Sequence, residues 1–181
     1  MKTIDFTKMV AAGNDFVVVD SMDHQSARAP ERQLLAKKIC DRKYGIGADG
    51  MLLLEKTAKA DIRMRIFNPD GSEAQMCGNG ARCCAKYYSF KLSALSYKPI
   101  KIETKAGILE AVVSDNMVKL KMSNPHDIKL NIQLTAYSLK LKANYINTGV
   151  PHAVIFVDDL KNTDVANLGR TIRNSKEFAP A

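Results

Sequence analysis

From Phe67 to Tyr88 the chain passes from a tight turn, through a thiol flanked by glycines, into a helical pattern, so the fold must deliver that thiol where a helix begins. Asn68-Pro69-Asp70-Gly71 is a turn by residue chemistry, because Pro69 presets φ at the second position and Gly71 tolerates the positive φ that closes such turns. From Arg82 the pattern is helical, with Cys84, Tyr87 and Tyr88 at i, i+3 and i+4 and Ala81, Ala85 and Lys86 as good helix formers. Between turn and helix stands Cys77-Gly78-Asn79-Gly80, where two glycines remove the side chains that would hold a ligand off the backbone. The N–H groups of a first helical turn, with the positive end of the helix dipole, suit a bound anion such as a carboxylate. The same field favours Cys77 as the thiolate.

Residue chemistry alone leaves a second reading open, in which Cys77 is a small buried apolar side chain and the glycines are only a tight turn. A metal centre is not indicated. The spacing of Cys77, Cys83 and Cys84 lacks the paired knuckles of a zinc site, no histidine falls in the stretch, and two adjacent helical cysteines point about 100° apart.

Around this stretch the pattern is α+β. Ile4, Phe6 and Lys8 alternate as a strand, Gly13-Asn14-Asp15 interrupts with Asn14 at a turn, and Phe16 to Asp20 resumes with three valines. Residues 21 to 29 form a polar loop, and Pro30 opens a helix carrying Leu34, Leu35 and Ile39 that ends near Tyr44. Gly45 to Gly50 is glycine-rich without the arrangement of a phosphate loop. Met51 to Leu54 and Asp61 to Phe67 read as strands, the second with Ile62, Met64 and Ile66 on one face and Arg63 and Arg65 on the other. Ile100 to Glu103, Ile108 to Val113 and Met117 to Met122 form a meander, broken by Ser123-Asn124-Pro125, where a domain boundary is expected. Beyond it, Ile128 to Leu134, Leu139 to Leu141 and Ala153 to Val157 read as strands, and Asp164 opens a helix with Val165, Leu168 and Ile172 on one face, ending around Asn174.

The motif Asn68-x-Asp70-Gly71-Ser72-Glu73-Ala74-x-x-Cys77-Gly78-Asn79-Gly80-x-Arg82-Cys83 resembles the signature of the diaminopimelate epimerases, racemases that work without pyridoxal phosphate. Asn14-Asp15-Phe16 and Gly45 to Gly50 resemble two further segments of that family in the same order, and the likeness spans the chain. The resemblance implies inversion at the α-carbon of diaminopimelate between its LL and meso forms, for lysine and peptidoglycan biosynthesis, with no cofactor and no metal. It implies acid–base chemistry by two cysteines on opposite faces of the substrate, of which Cys77 matches the first. It also implies substrate contacts from Asn14, Asn68, Gly78, Asn79 and Gly80, and a catalytic-site role for His152 in the Gly149-x-Pro-His element. Val150 stands where many members carry asparagine, and Asn147 is the candidate replacement. From the residues alone, His152 reads equally as a histidine at a strand start, bonded to backbone.

The fold so implied is two similar domains, each a mixed-strand barrel around a central helix, with the site between them. On that pattern residues 1–123 are the N-terminal epimerase domain and 124–181 the first part of a C-terminal domain. The family's second cysteine, in a later Cys-Gly-Thr/Ser-Gly motif, is absent, and Cys40, Cys83 and Cys84 cannot replace it. The expectation is therefore an incomplete epimerase, completed by a missing C-terminal segment or a second chain, with a homodimer also compatible. The alternative is an inactive or half-competent fragment that binds diaminopimelate or a partner chain without inversion. Proline or hydroxyproline racemisation is disfavoured by Asn79 and Cys77.

Composition narrows the remaining classes. A 46% hydrophobic share supports a real core in 181 residues. The formal charge of +8 comes from scattered lysines and arginines with no block of five like charges, so a solvated surface is expected and nucleic acid is not a partner. No apolar leader or membrane-length run occurs, and four cysteines without a secretory signal suit reduced thiols, so a cytoplasmic location away from membranes is expected.

Overall fold

A computed structural model describes residues 3–22, 29–92, 98–136 and 139–178, and the chain divides into two compact units, residues 1–122 and 123–181. The first unit opens with the hairpin β1 (Thr7–Ala11) and β2 (Asn14–Asp20). Its two-residue loop is Ala12-Gly13, both with positive φ (50° and 79°), the geometry that matches the twist of paired strands. Asn14 is therefore the first residue of β2, paired with Ala11, rather than a turn residue. The strand before it begins at Thr7, and Ile4 and Phe6 are exposed.

Parallel strands need a crossover, and this unit has two, each supplied by a helix. Helix α1 (Ala29–Cys40) links β2 to its parallel neighbour β3 (Gly50–Glu55). Antiparallel β4 (Ile62–Phe67) and the two-residue β5 (Glu73–Ala74) follow, then α2 (Gly78–Lys91) crosses to β6 (Ile100–Thr104), which pairs parallel with β4. β7 (Gly107–Ser114) and β8 (Met117–Lys121) complete an antiparallel meander. The strand order is β1-β2-β3-β4-β6-β7-β8, with β5 on β4. Helix α2 touches every strand of that path, from β1 to β8, so the mixed sheet curls around it.

Alternation along the strands sorts the side chains into two cores. Phe16, Val18, Leu52, Leu54, Ile62, Met64, Ile66 and Ile102 face α2, where they meet Ala81, Cys83, Cys84 and Ala85. Val17, Val19, Met51, Leu53 and Phe67 face outward, onto Ala36 and Cys40 of α1. β3 is buried on both faces because a helix lies on each side of it.

Two helix boundaries differ from expectation. α1 stops at Cys40, not near Tyr44, because the Asp41 carboxylate accepts hydrogen bonds from the Lys43 and Tyr44 N–H groups, both 2.7 Å, and turns the chain. Its buried stripe is Ala36 and Cys40 with Leu35 and Ile39 beside them, while Leu34 is exposed. α2 begins at Gly78, four residues before Arg82. The polar loop expected over residues 21 to 29 lies largely outside the described residues.

The second unit is a three-stranded antiparallel sheet, β11-β10-β9, formed by β9 (His126–Ala136), β10 (Leu139–Asn147) and β11 (Pro151–Val154). Its strand β11 ends at Val154, short of the expected Val157. Helix α3 (Val165–Arg173) starts at the expected Asp164, whose carboxylate accepts the Asn167 N–H, and lays Ile172 and Leu168 against Leu134 and Ala143. Ile128, Leu130, Phe156 and Leu160 remain exposed.

Replacing fully buried Leu52 by Ala is expected to cost about 2–5 kcal/mol, whereas Leu34→Ala changes stability by less than about 0.5 kcal/mol. Urea denaturation of both variants checks the contrast, and comparable losses would contradict the packing described.

Candidate active site

The turn before the thiol is built as its residues dictate. The Gly71 N–H donates to Asn68 O at 2.9 Å, with Gly71 at φ +81°, and the Asp70 carboxylate accepts from the Ser72 N–H at 2.8 Å and its hydroxyl at 2.6 Å. The Asn68 amide donates to the Ser72 Oγ at 2.9 Å. The chain then runs along β5, where Arg65 grips Glu73 through two hydrogen bonds, 2.7 and 2.8 Å, and Lys105 adds a third contact at 2.8 Å. Arg65 beside it holds the Glu73 carboxyl at about 2, well below its ordinary 4.5. This clamp, unnoticed in the sequence, fixes the segment four residues upstream of Cys77.

Cys77 is the residue that caps α2. Its backbone is extended (φ −146°, ψ 119°), its carbonyl accepts from Ala81 N–H at 2.9 Å, and its Sγ accepts from the Gly80 N–H at 3.4 Å. A thiol thus occupies the place that serine or aspartate takes in ordinary caps. The N–H of Gly80 is thus directed at the sulfur, while Gly78 and Asn79 stand with it in the first turn of the helix.

Gly78 and Gly80 are needed for different reasons. A Cβ on Gly80 would stand 3.0 Å from Leu52 Cδ2 and 3.5 Å from Cys77 Cβ, whereas one on Gly78 would meet only Met122, at 3.9 Å. Gly80 therefore lets the helix seat against the sheet, and Gly78 leaves the mouth open. The Asn79 Oδ1 accepts from Arg82 at 2.7 Å, an i, i+3 pair visible in the spacing but not anticipated, which fixes the amide with its N–H₂ end outward from that bond.

Strand register brings the other motifs to the same end of the sheet. Asn14 opens β2, Phe16 lies beside Gly50 at the start of β3, and Met51 lies beside Phe67 at the end of β4, next to Asn68. The Gly45 to Gly50 segment is tied there by charge. Asp15 pairs with Lys8 and Arg42, both at 2.8 Å, and Arg42 also holds Asp49 at 2.8 Å. The Asp49 N–H donates to the Asp15 carboxylate at 2.9 Å, and Lys8 donates to Gly47 O. These cations keep the Asp15 carboxyl well below the usual carboxylate range. The neighbouring Asn14 Oδ1 is buried and accepts no hydrogen bond from the described residues.

The remaining cysteines are unlike Cys77. Cys40, Cys83 and Cys84 are buried, and burial raises the pKa of each, that of Cys83 to about 11. In the second unit, Asn147 Oδ1 accepts from the Gly149 N–H at 2.9 Å. His152 Nδ1 lies 2.7 Å from Val150 O, on the rim of an apolar groove of about 620 Å³ lined by Tyr145, Ile155, Leu168, Ile172 and Phe178. No group of three or more metal-ligating side chains stands together among the described residues, and none of their helices is long and apolar enough to cross a membrane.

The diaminopimelate epimerase family profile matches residues 6–128. The chain belongs to the diaminopimelate epimerase family. It is 42% identical to the diaminopimelate epimerase of Carboxydothermus hydrogenoformans, covering 97% of this chain and 68% of that protein. It is 44% identical to that of Methanocella arvoryzae, covering 99% and 68%. Among solved structures, a PhzF-family phenazine biosynthesis protein of Bacillus anthracis is 26% identical with a TM-score of 0.61, over 89% of this chain and 58% of that one. A hydroxyproline epimerase of Agrobacterium vitis shares the fold at 18% identity and a TM-score of 0.65, over 87% and 53%. The chain thus spans 68% of the length of these two family relatives and 58% or less of the two solved structures.

Two stability tests follow. Gly80→Ala is expected to fold about 1–2 kcal/mol less stably than Gly78→Ala, since both gain helix propensity but only the first crowds Leu52; equal midpoints in denaturant would contradict it. A carboxyl with a lowered folded pKa stabilises fully above its unfolded value and loses that contribution as pH falls through the folded one. Glu73 therefore contributes fully above about pH 4.5 and loses its share toward pH 2. After allowance for solvent screening this amounts to about 1–2 kcal/mol, and Glu73→Gln is expected to lose it at neutral pH and flatten that acid limb.

Proposed function

We propose that this chain serves the cofactor-independent epimerisation of diaminopimelate, with Cys77 as the acid–base group on one face of the α-carbon. The observation that supports this most is the position of Cys77, a partly exposed thiol at the mouth of α2, where the other three cysteines are buried. The substrate carboxylate sits against the N–H groups of Gly78 and Asn79. The thiolate removes the α-proton, the C–H electron pair moves toward that carboxylate, and the helix-end N–H groups carry the developing charge. Asn14 Oδ1 accepts from the substrate ammonium, the donor that its buried oxygen lacks among the described residues, and Asn68 and Asn79 orient the molecule by amide hydrogen bonds. Gly80 acts through the sulfur. Asn147 and His152 belong to the second unit, and the proposal for the first step does not depend on them.

Inversion needs a second proton donor on the opposite face. Cys40, Cys83 and Cys84 do not supply it, because they are buried in the two cores of the first unit. That burial favours a second reading, in which this chain alone exchanges the α-proton on one face and inverts nothing.

Incubation with LL-diaminopimelate in deuterated water, followed by mass and chiral analysis, tests both. Solvent deuterium at the α-carbon is expected for the wild-type chain, and Cys77→Ala is expected to lower exchange by at least about 10²-fold. Meso product supports full epimerisation, and labelled LL product the one-faced reading. Unchanged exchange in Cys77→Ala would remove Cys77 from the chemistry.

A further inference from the structure

Helix α2 opens with a polar pair on the side it does not bury. Asn79 and Arg82 are three residues apart and so share a face, and the tilt of helical side chains toward the helix start carries the Arg82 guanidinium back over the first turn. There it donates to Asn79 Oδ1 at 2.7 Å. Around them Gly80, Ala81, Cys83, Cys84 and Ala85 are buried, while Asn79 is half-buried and Arg82 exposed. A cation does not suit this end of a helix. The dipole is positive there, the first turn holds no acidic residue, and among the described residues no carboxylate pairs with Arg82. Helix stability therefore gives no reason for arginine at this position, and what the side chain supplies is its bond to Asn79.

A primary amide can offer a ligand either its oxygen or its N–H₂ group. A guanidinium carries five donors and no acceptor, so it can hold only the oxygen. With Oδ1 engaged by Arg82, the N–H₂ end is the part of Asn79 left open to a ligand. Gly78 keeps the neighbouring space clear, since a Cβ there would meet only Met122, at 3.9 Å.

We propose that Arg82 is a positioning residue, which by holding the Asn79 amide in one orientation makes it a fixed hydrogen-bond donor to the substrate carboxylate; this rests on the helix mouth being the substrate site. Arg82 touches no reacting atom and acts through Asn79. Its positive charge adds little by itself, because the head group is exposed to water.

A double-mutant cycle on α-deuterium exchange of LL-diaminopimelate tests this. Arg82→Leu keeps helix propensity and is expected to raise KM about tenfold with kcat within about threefold of wild type, whereas Arg82→Lys, also a donor without an acceptor, is expected to keep most of the affinity. In an Asn79→Ala background, Arg82→Leu is expected to change nothing further. A KM within twofold of wild type in Arg82→Leu, or the same rise in KM in both backgrounds, would overturn the proposal. A second readout needs no substrate: the heteronuclear NOE of the Asn79 side-chain nitrogen, assigned by its loss in Asn79→Ala, is expected to match the backbone of α2 in wild type and to fall in Arg82→Leu. An NOE that does not fall would likewise overturn it. A wild-type chain that exchanges no α-proton would defeat the proposed function instead, and the NOE would then decide the role of Arg82.

Discussion

Small side chains on α2 are what allow the first unit to exist. Gly80, Ala81, Cys83, Cys84 and Ala85 are its buried residues, so the strands approach closely and supply the bulk of the core themselves, through Leu52, Leu54, Ile62, Met64 and Ile102. A helix with large side chains on that face would force the sheet open. The seating of α2 then determines where its N-terminus emerges, and with it the position of Cys77. At the other end, Asp20 accepts from Tyr87 at 3.1 Å and pairs with Lys91 at 2.8 Å, which fastens the last turns of the helix to the end of β2.

Charge does the finer positioning. Asp15 and Asp49 are tied to each other's backbone and to Arg42, which makes one body of the hairpin that carries Asn14 and the glycine-rich segment that leads into β3. The Arg65–Glu73 clamp does the same for the run from the Asn68 turn to Cys77. Neither network touches the thiol. Each ties together segments that are distant along the chain, and on the proposed function such fixed dipoles suit electrostatic stabilisation of a transition state.

The parts of this arrangement that could be read in the sequence are those with a local cause. Alternation placed Ile62, Met64 and Ile66 on one face of β4 and found the meander β6 to β8 to within two residues, because those strands are each buried on one side. The start of α2 is hidden in the sequence because glycines are poor helix formers and a thiol is an unusual cap. The end of α1 falls earlier than the pattern implies because the Asp41 carboxylate captures the next N–H groups. The roles proposed for Asn14, Asn68 and Cys77 come from family resemblance. It did not supply the pairing of Glu73 with Arg65 or of Asp15 with Arg42, since partners 8 and 27 residues apart are joined only once the sheet has formed.

The central claim is that one thiol of four stands at a helix mouth that also receives the substrate. Brief alkylation of the native protein with iodoacetamide, followed by peptide mass mapping with and without LL-diaminopimelate, tests it directly. Modification of Cys77 is expected well ahead of Cys40, Cys83 and Cys84, with that reaction slowed by the substrate. Equal labelling of all four cysteines, or labelling of Cys77 at the same rate whether or not diaminopimelate is present, would contradict it.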